Sequence, residues 1–151
     1  MRSLLFVPAD GGKKLDKAMA SGADAVIVDL EDSIAPEGKT RARGLAAGFV
    51  KEAVTQAARP HLVVRVNGLR TGLIDDDLDA VVAARPDAIM LPKAEGGAAV
   101  THADAKLTAR EAIAGLPDGH IKIVAIATET AQALFLASTY RGASARLSEL
   151  T

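Results

Sequence analysis

The residues of this chain best placed to do chemistry are Glu31 and Asp32, Arg65 and Asn67, Lys93 and Glu95, and Glu129, because each group closes a short apolar run. The densest stretch is Ala25-Val-Ile-Val-Asp29-Leu-Glu31-Asp32-Ser33, where three carboxylates fall within four positions. A strand that delivers acids at its end must also supply partners for them, since an unpaired buried charge is costly. Loop caps and ion pairs with Arg or Lys are the plainer use of such residues; a reacting site is the other. Hard oxygen donors with no His or Cys among them suit Mg2+, which takes one or two carboxylates plus water and substrate oxygens. Arg65 has the planar fork that grips a carboxylate, whether of a substrate or of a neighbouring acid. His61, His102 and His120 have no partners at ligand spacing and read as surface or loop residues. The residues alone therefore point to a magnesium-assisted enzyme acting on a small carboxylic acid.

Composition narrows the classes further. The chain has 151 residues, 49% of them hydrophobic and only 3% aromatic, which favours helices packed closely on a sheet over a base-stacking surface. Its formal net charge is −1 with acids and bases interspersed, so no basic stripe calls for a nucleic acid. There is no cysteine, which excludes disulfides and thiol chemistry and fits a reducing, cytoplasmic setting. Met1–Pro8 reads as a first strand and not as a secretion signal. No apolar run approaches the length of a membrane span, so no membrane partner is expected.

The elements that must carry these groups alternate between strand and helix patterns. Strands are expected near 3–7, 25–30, 62–66, 88–91 and 121–126, with the start of a sixth at 147–151. Between them, helices are expected over 13–21, with Leu15, Ala18 and Met19 inward, and from Pro36 to about Ala57, with Leu45, Phe49, Val50, Ala53 and Val54 inward. Further helices are expected over 73–84, over 98–114 and from Ala131, the last with Leu134 and Phe135 inward. Asp75, Asp76, Asp77 and Asp79 read as helix N-terminal charges and a solvated face. Asp24-Ala-Val-Ile-Val28 and Asp87-Ala-Ile-Met-Leu91 repeat one another. Strand–helix units recurring at about 30 residues match an α/β fold of the (β/α)8 TIM-barrel type. A doubly wound sheet would carry a glycine-rich phosphate loop after its first strand, and Gly11-Gly12 is too thin for one. Five units and the start of a sixth do not close a barrel. The expectation is thus a single incomplete barrel domain over 1–151 that is part of a longer protein or is completed by a partner. Its two open strand edges and exposed apolar surface should leave the chain alone poorly stable as a monomer.

The chain resembles the citrate lyase beta subunit family within the HpcH/HpaI aldolase superfamily, the acyl-thioester carbon–carbon lyases that include malyl-CoA lyases. The resemblance lies in Arg2-Ser-Leu-Leu-Phe-Val-Pro8, Ser21–Asp32, Ala35-Pro-Glu37 with Lys39, Val64-Arg-Val-Asn67 and Met90-Leu-Pro-Lys93, in order along nearly the whole chain. It implies a β/α barrel, assembled as a homo-oligomer, that cleaves a citryl- or malyl-type 2-hydroxy-acid thioester, carried on CoA or an acyl carrier protein, to an oxo acid and an acyl thioester. It also implies that Arg65 binds the substrate carboxylate, that Glu129 is one Mg2+ ligand, that Glu31 and Asp32 serve as acid–base or supporting groups, and that Phe6 lies against the substrate. The family pattern continues after its first strand with Gly, Asp or Asn, then Arg. Here Ala9-Asp-Gly-Gly-Lys13-Lys14 follows, so Lys13, Lys14 or Lys17 must meet a carrier phosphate instead. The family's second metal ligand is an Asp just past the sixth strand, beyond Thr151. Related pyruvate-type aldolases are an alternative but carry His where Asp32 stands. A Schiff-base aldolase using Lys93 and a non-catalytic or partial subunit are the others.

Overall fold

A computed structural model describes residues 1–151. Six strands, β1 (Leu4–Pro8), β2 (Ala25–Asp29), β3 (His61–Arg65), β4 (Ala88–Leu91), β5 (Lys122–Ala125) and β6 (Leu147–Leu150), form one sheet in the order 1-2-3-4-5-6. Every neighbouring pair is parallel. Helices α1 (Lys13–Met19), α2 (Lys39–Ala53), α3 (Ile74–Val81), α4 (Gly97–Ala114) and α5 (Ala131–Phe135) supply the crossovers. Unbroken sequential order has no reversal point, which sets the sheet apart from a doubly wound one and is consistent with an arc of a β/α barrel. The sheet also curls: the Met1 ammonium, just ahead of β1, lies 3.4 Å from Glu149 Oε1 in β6.

Strand side chains alternate between two buried faces. Val26, Val28, Val64, Ile89, Leu91 and Ile123 pack under the helices, while Ala25, Ile27, Val63, Ala88, Met90 and Val124 fill the concave side. Burial on both sides explains why the strands are continuous apolar runs without polar alternation. The two repeated segments do the same job. Asp24 accepts hydrogen bonds from the Arg2 and Ser3 N–H groups at 2.6 and 2.9 Å, and Asp87 accepts from Leu62 N–H at 2.8 Å. Each aspartate thus ties its own strand's entry to the start of the preceding one.

Three expectations about helix faces are corrected. In α2 the buried stripe is Lys39, Ala42, Ala46, Val50 and Ala53, and Leu45 is exposed. Small residues face the sheet, so the helix can lie close to it, and Lys39 shares that stripe because its ammonium is drawn to the strand ends. In α3 Asp77 is fully buried, not solvated; its spacing places it between Ile74, Leu78 and Val81 on the apolar face. In α5 Leu134 and Phe135 point outward and Ala133 alone is buried. That helix is only five residues long and packs mainly on the helical turn that follows it, Ala137–Tyr140, so its apolar face stays uncovered.

The start of α4 is a close approach that only glycine permits. Gly97 N–H donates to Thr139 Oγ1 at 2.8 Å, and a Cβ on Gly97 would stand 2.1 Å from the Thr139 carbonyl oxygen. Backbone cannot yield as a side-chain tip can, so Gly97→Ala is expected to cost about 2 kcal/mol and lower Tm by about 4–8 °C. Gly48→Ala in α2 meets nothing within 4 Å and should leave Tm unchanged or raised. Equal Tm values for the two variants in thermal melts would refute the close approach.

Candidate active site

The C-terminal ends of β2, β3, β4 and β5 bring Asp29, Glu31, Arg65, Lys93 and Glu129 together. Asp29, the last residue of β2, organises the group. Its Oδ1 accepts from Glu31 N–H at 2.8 Å and Arg65 Nε at 2.7 Å; its Oδ2 accepts from Ser33 N–H at 3.1 Å and Arg65 Nη2 at 2.7 Å. One carboxylate therefore folds the Glu31–Ser33 loop back over the strand end and grips the guanidinium bidentately. Burial works to raise the Asp29 pKa, but these donors outweigh it and hold the carboxyl below its usual range. The same pairing raises the Arg65 pKa, against the opposing effect of burial. From the other side the Phe6 ring supports Arg65, with the guanidinium carbon 4.8 Å from the ring centroid.

With its Nε–Nη2 edge taken by Asp29, Arg65 presents its other edge to the mouth. Nη1 lies 3.2 Å from Glu31 Oε2 and 4.0 Å from the exposed Asp32 carboxylate. Glu31 is itself buried, with Oε1 receiving Lys93 Nζ. No donor is directed at Oε2: Arg65 is near enough for charge attraction, yet the oxygen forms no hydrogen bond. A buried carboxylate oxygen with an open lone pair, beside a guanidinium and at the strand ends, can accept from a bound ligand.

Lys39 stabilises the group from behind. A cation opposes the dipole at a helix N-terminus, and Lys39 opens α2 nonetheless, because its ammonium donates to the Leu30 and Glu31 carbonyls, both at 2.6 Å, and to Asn67 Oδ1 at 2.9 Å. Burial lowers its pKa, with Asp77, Asp29, Glu31 and Asp32 opposing. Asn67 is held in turn by Asp77 Oδ2, at 2.7 Å from both its backbone and amide nitrogens, and Arg43 Nε closes the chain on Asp77 Oδ1 at 2.7 Å.

The rim expected from the sequence is thus assembled in part. Arg65, Glu31 and Phe6 are in contact, with Asp32 at their outer edge. Glu129 is exposed and accepts from Lys93 N–H at 2.5 Å. Glu95 turns away to pair with Arg70. Lys17 lies exposed on α1, forms no ion pair and does not join the cluster. Lys39 and Asp29 are the members whose roles the sequence did not disclose. A lysine placed against a helix dipole is the signal that points to the first.

No group of three His, Cys, Asp or Glu residues stands close enough to hold a metal ion. The side chains at this rim offer a cation carboxylate oxygens only, Glu129 and Asp32 being the exposed ones. Mg2+ fits such a hard, sparse donor set and Zn2+ does not.

Residues 2–145 match the model of the HpcH/HpaI aldolase/citrate lyase family. Citrate lyase subunit beta of Leuconostoc mesenteroides subsp. cremoris is 34% identical over 148 residues, covering 97% of this chain and 47% of its own length. A (3S)-malyl-CoA thioesterase of Cereibacter sphaeroides is 41% identical over 92 residues, 61% of this chain and 32% of its own. Among solved structures, the citrate lyase beta subunit of M. tuberculosis complexed with oxaloacetate and magnesium superposes with a TM-score of 0.69 at 31% identity, over 97% of this chain and 55% of that one. Malate synthase of Haloferax volcanii shares the fold, with a TM-score of 0.80 at 18% identity. This chain spans about half or less of the length of the curated relatives it matches. By the match over nearly all its residues, the chain belongs to the HpcH/HpaI aldolase/citrate lyase family.

Proposed function

We propose that these residues form the first part of the active site of a Mg2+-dependent carbon–carbon lyase, which cleaves a citryl- or malyl-type 2-hydroxy-acid thioester to an oxo acid and an acyl thioester. The observation that carries this reading is the unsatisfied, buried Glu31 Oε2 beside Arg65 at the strand ends of a chain in this family. Glu129 would hold the Mg2+, which when bound supplies positive charge to a hydroxy acid's oxygens and makes the hydroxyl more acidic.

The Nη1 side of Arg65, turned toward Glu31 and the mouth, binds the substrate carboxylate, with Asp29 and Phe6 fixing the guanidinium. Glu31 Oε2 takes the hydroxyl proton. The carbon–carbon bond then breaks, its electron pair passing to the thioester enolate while the alkoxide becomes the carbonyl of the oxo acid. Glu31 returns the proton to the enolate carbon, so the protein ends unchanged. Asp32, exposed at the mouth, adds to the negative field that keeps Lys93 protonated. Lys17 and Lys13, one turn apart on the exposed side of α1, offer positive charge to the phosphates of CoA or an acyl carrier.

Incubating the full chain with malyl-CoA or a citryl thioester and Mg2+ tests the reading. Release of glyoxylate or oxaloacetate with the matching acetyl thioester is expected. Free CoA without carbon–carbon cleavage would instead establish thioester hydrolysis.

A further inference from the structure

We propose that Lys93 is a positioning residue serving both halves of the site: its backbone N–H orients the Glu129 carboxylate, and its side chain holds Glu31 Oε1 so that Oε2 stays free. The inference rests on the reading of Glu129 as the cation ligand.

Two non-glycine residues adopt positive φ, Arg85 and Lys93. Arg85 follows a helical turn, where a left-handed residue is an ordinary way to end it. Lys93 follows Pro92 in the turn that leaves β4, a place where positive φ is ordinary for glycine or asparagine and uncommon for lysine. It stands two residues past β4 at φ 51°, a conformation that costs a side-chain-bearing residue about 1 kcal/mol or more. Glycine or asparagine would adopt it more easily. What the turn achieves is reach in opposite directions along the rim. The N–H faces the end of β5 and donates to Glu129 Oε2 at 2.5 Å, while the ammonium crosses β3 to Glu31 beyond the end of β2. Glu129 is exposed and makes no other hydrogen bond or ion pair, so Lys93 N–H is all that orients it. Lys93 is the only hydrogen-bond donor to the Glu31 carboxylate, with Arg65 Nη1 3.2 Å from Oε2 as its other charged neighbour. One residue therefore links the cation ligand to the proton acceptor, fixing the Oε1 side of a glutamate whose backbone Asp29 already holds.

The two roles separate by substitution, because Lys93→Gly keeps the N–H and tolerates the backbone while Lys93→Pro removes the N–H and cannot adopt positive φ. Mn2+ affinity of the full chain, read by electron paramagnetic resonance, reports the Glu129 half; kcat and KM report the Glu31 half. For Lys93→Gly we expect Mn2+ affinity within about threefold of the parent and kcat lowered by about tenfold or more with little change in KM, partly restored in Lys93→Arg. For Lys93→Pro we expect Mn2+ affinity weakened by about tenfold or more. Should that variant not fold, hydrogen exchange at the Lys93 amide decides instead: protection in the parent that is lost in Glu129→Ala, which removes the acceptor, supports the backbone role, and an unprotected amide in the parent or unchanged protection in Glu129→Ala overturns it. Parental kcat in Lys93→Gly overturns the side-chain role. Glu129→Gln keeps the two readings apart. If it binds Mn2+ like the parent, the cation reading falls and the inference with it. If it weakens binding while Lys93→Pro does not, the backbone role of Lys93 falls alone.

Discussion

Arg65→Lys is expected to lower kcat/KM by about 10²-fold or more, although it preserves the charge. Arg65 uses one edge of its guanidinium on Asp29 and keeps the other for the mouth, and Phe6 supports its plane. An ammonium has no second edge. If it stays with Asp29 it leaves the substrate carboxylate unmet; if it turns to the substrate, Asp29 loses both its bidentate bonds while remaining buried. Either way the Glu31–Ser33 loop, which Asp29 also holds, loses definition. Steady-state kinetics over the proposed substrates measure the effect, with Tm as the companion measurement. Near-parental kcat/KM would show that Arg65 serves only as the partner of Asp29.

Chelation should have the largest effect of all. Activity is expected to vanish with EDTA and return with Mg2+, whereas borohydride added with a 2-oxo acid should leave it intact. The electrostatics of Lys93 separate these routes. A Schiff-base lysine must be neutral, which calls for a desolvated or cationic setting. Lys93 has the reverse: the hydrogen bond to Glu31 holds its pKa above the ordinary lysine range, outweighing burial, and the charges of Glu31, Asp32 and Glu129 add to the effect. Its amine is committed to an ion pair at neutral pH. EDTA-resistant turnover with a borohydride adduct on Lys93 would overturn the metal route and remove Glu129 from the site.

Periodicity and end-of-strand residues went far in this chain. Continuous apolar runs such as Ala25–Val28 have one economical solution, a strand buried on both sides, and their spacing leaves room only for parallel crossovers. The strand positions, the sequential winding and the collection of Glu31, Arg65, Lys93 and Glu129 at one rim follow from those local facts. The helix faces did not follow as readily. The apolarity of Leu45 suggests burial, but Ala42 and Ala46 face the sheet because the distance between layers, not hydrophobicity, selects the residue there. Leu134 and Phe135 failed for a related reason: an apolar face is buried only where a neighbour covers it.

The sequence by itself determined which side chains arrive at the rim, because strand direction and the two-residue alternation depend on local backbone geometry. Only the tertiary structure decided what each one is committed to. Asp29 grips Arg65 across 36 positions and Lys93 reaches Glu31 across 62. Asp77, which looked like one more surface charge, is sealed against Asn67 and Arg43. Pairings of this kind depend on distances of a few ångströms between strands and helices, to which a one-dimensional pattern is blind. They leave Glu31 Oε2 as the one buried side-chain polar atom without a hydrogen bond.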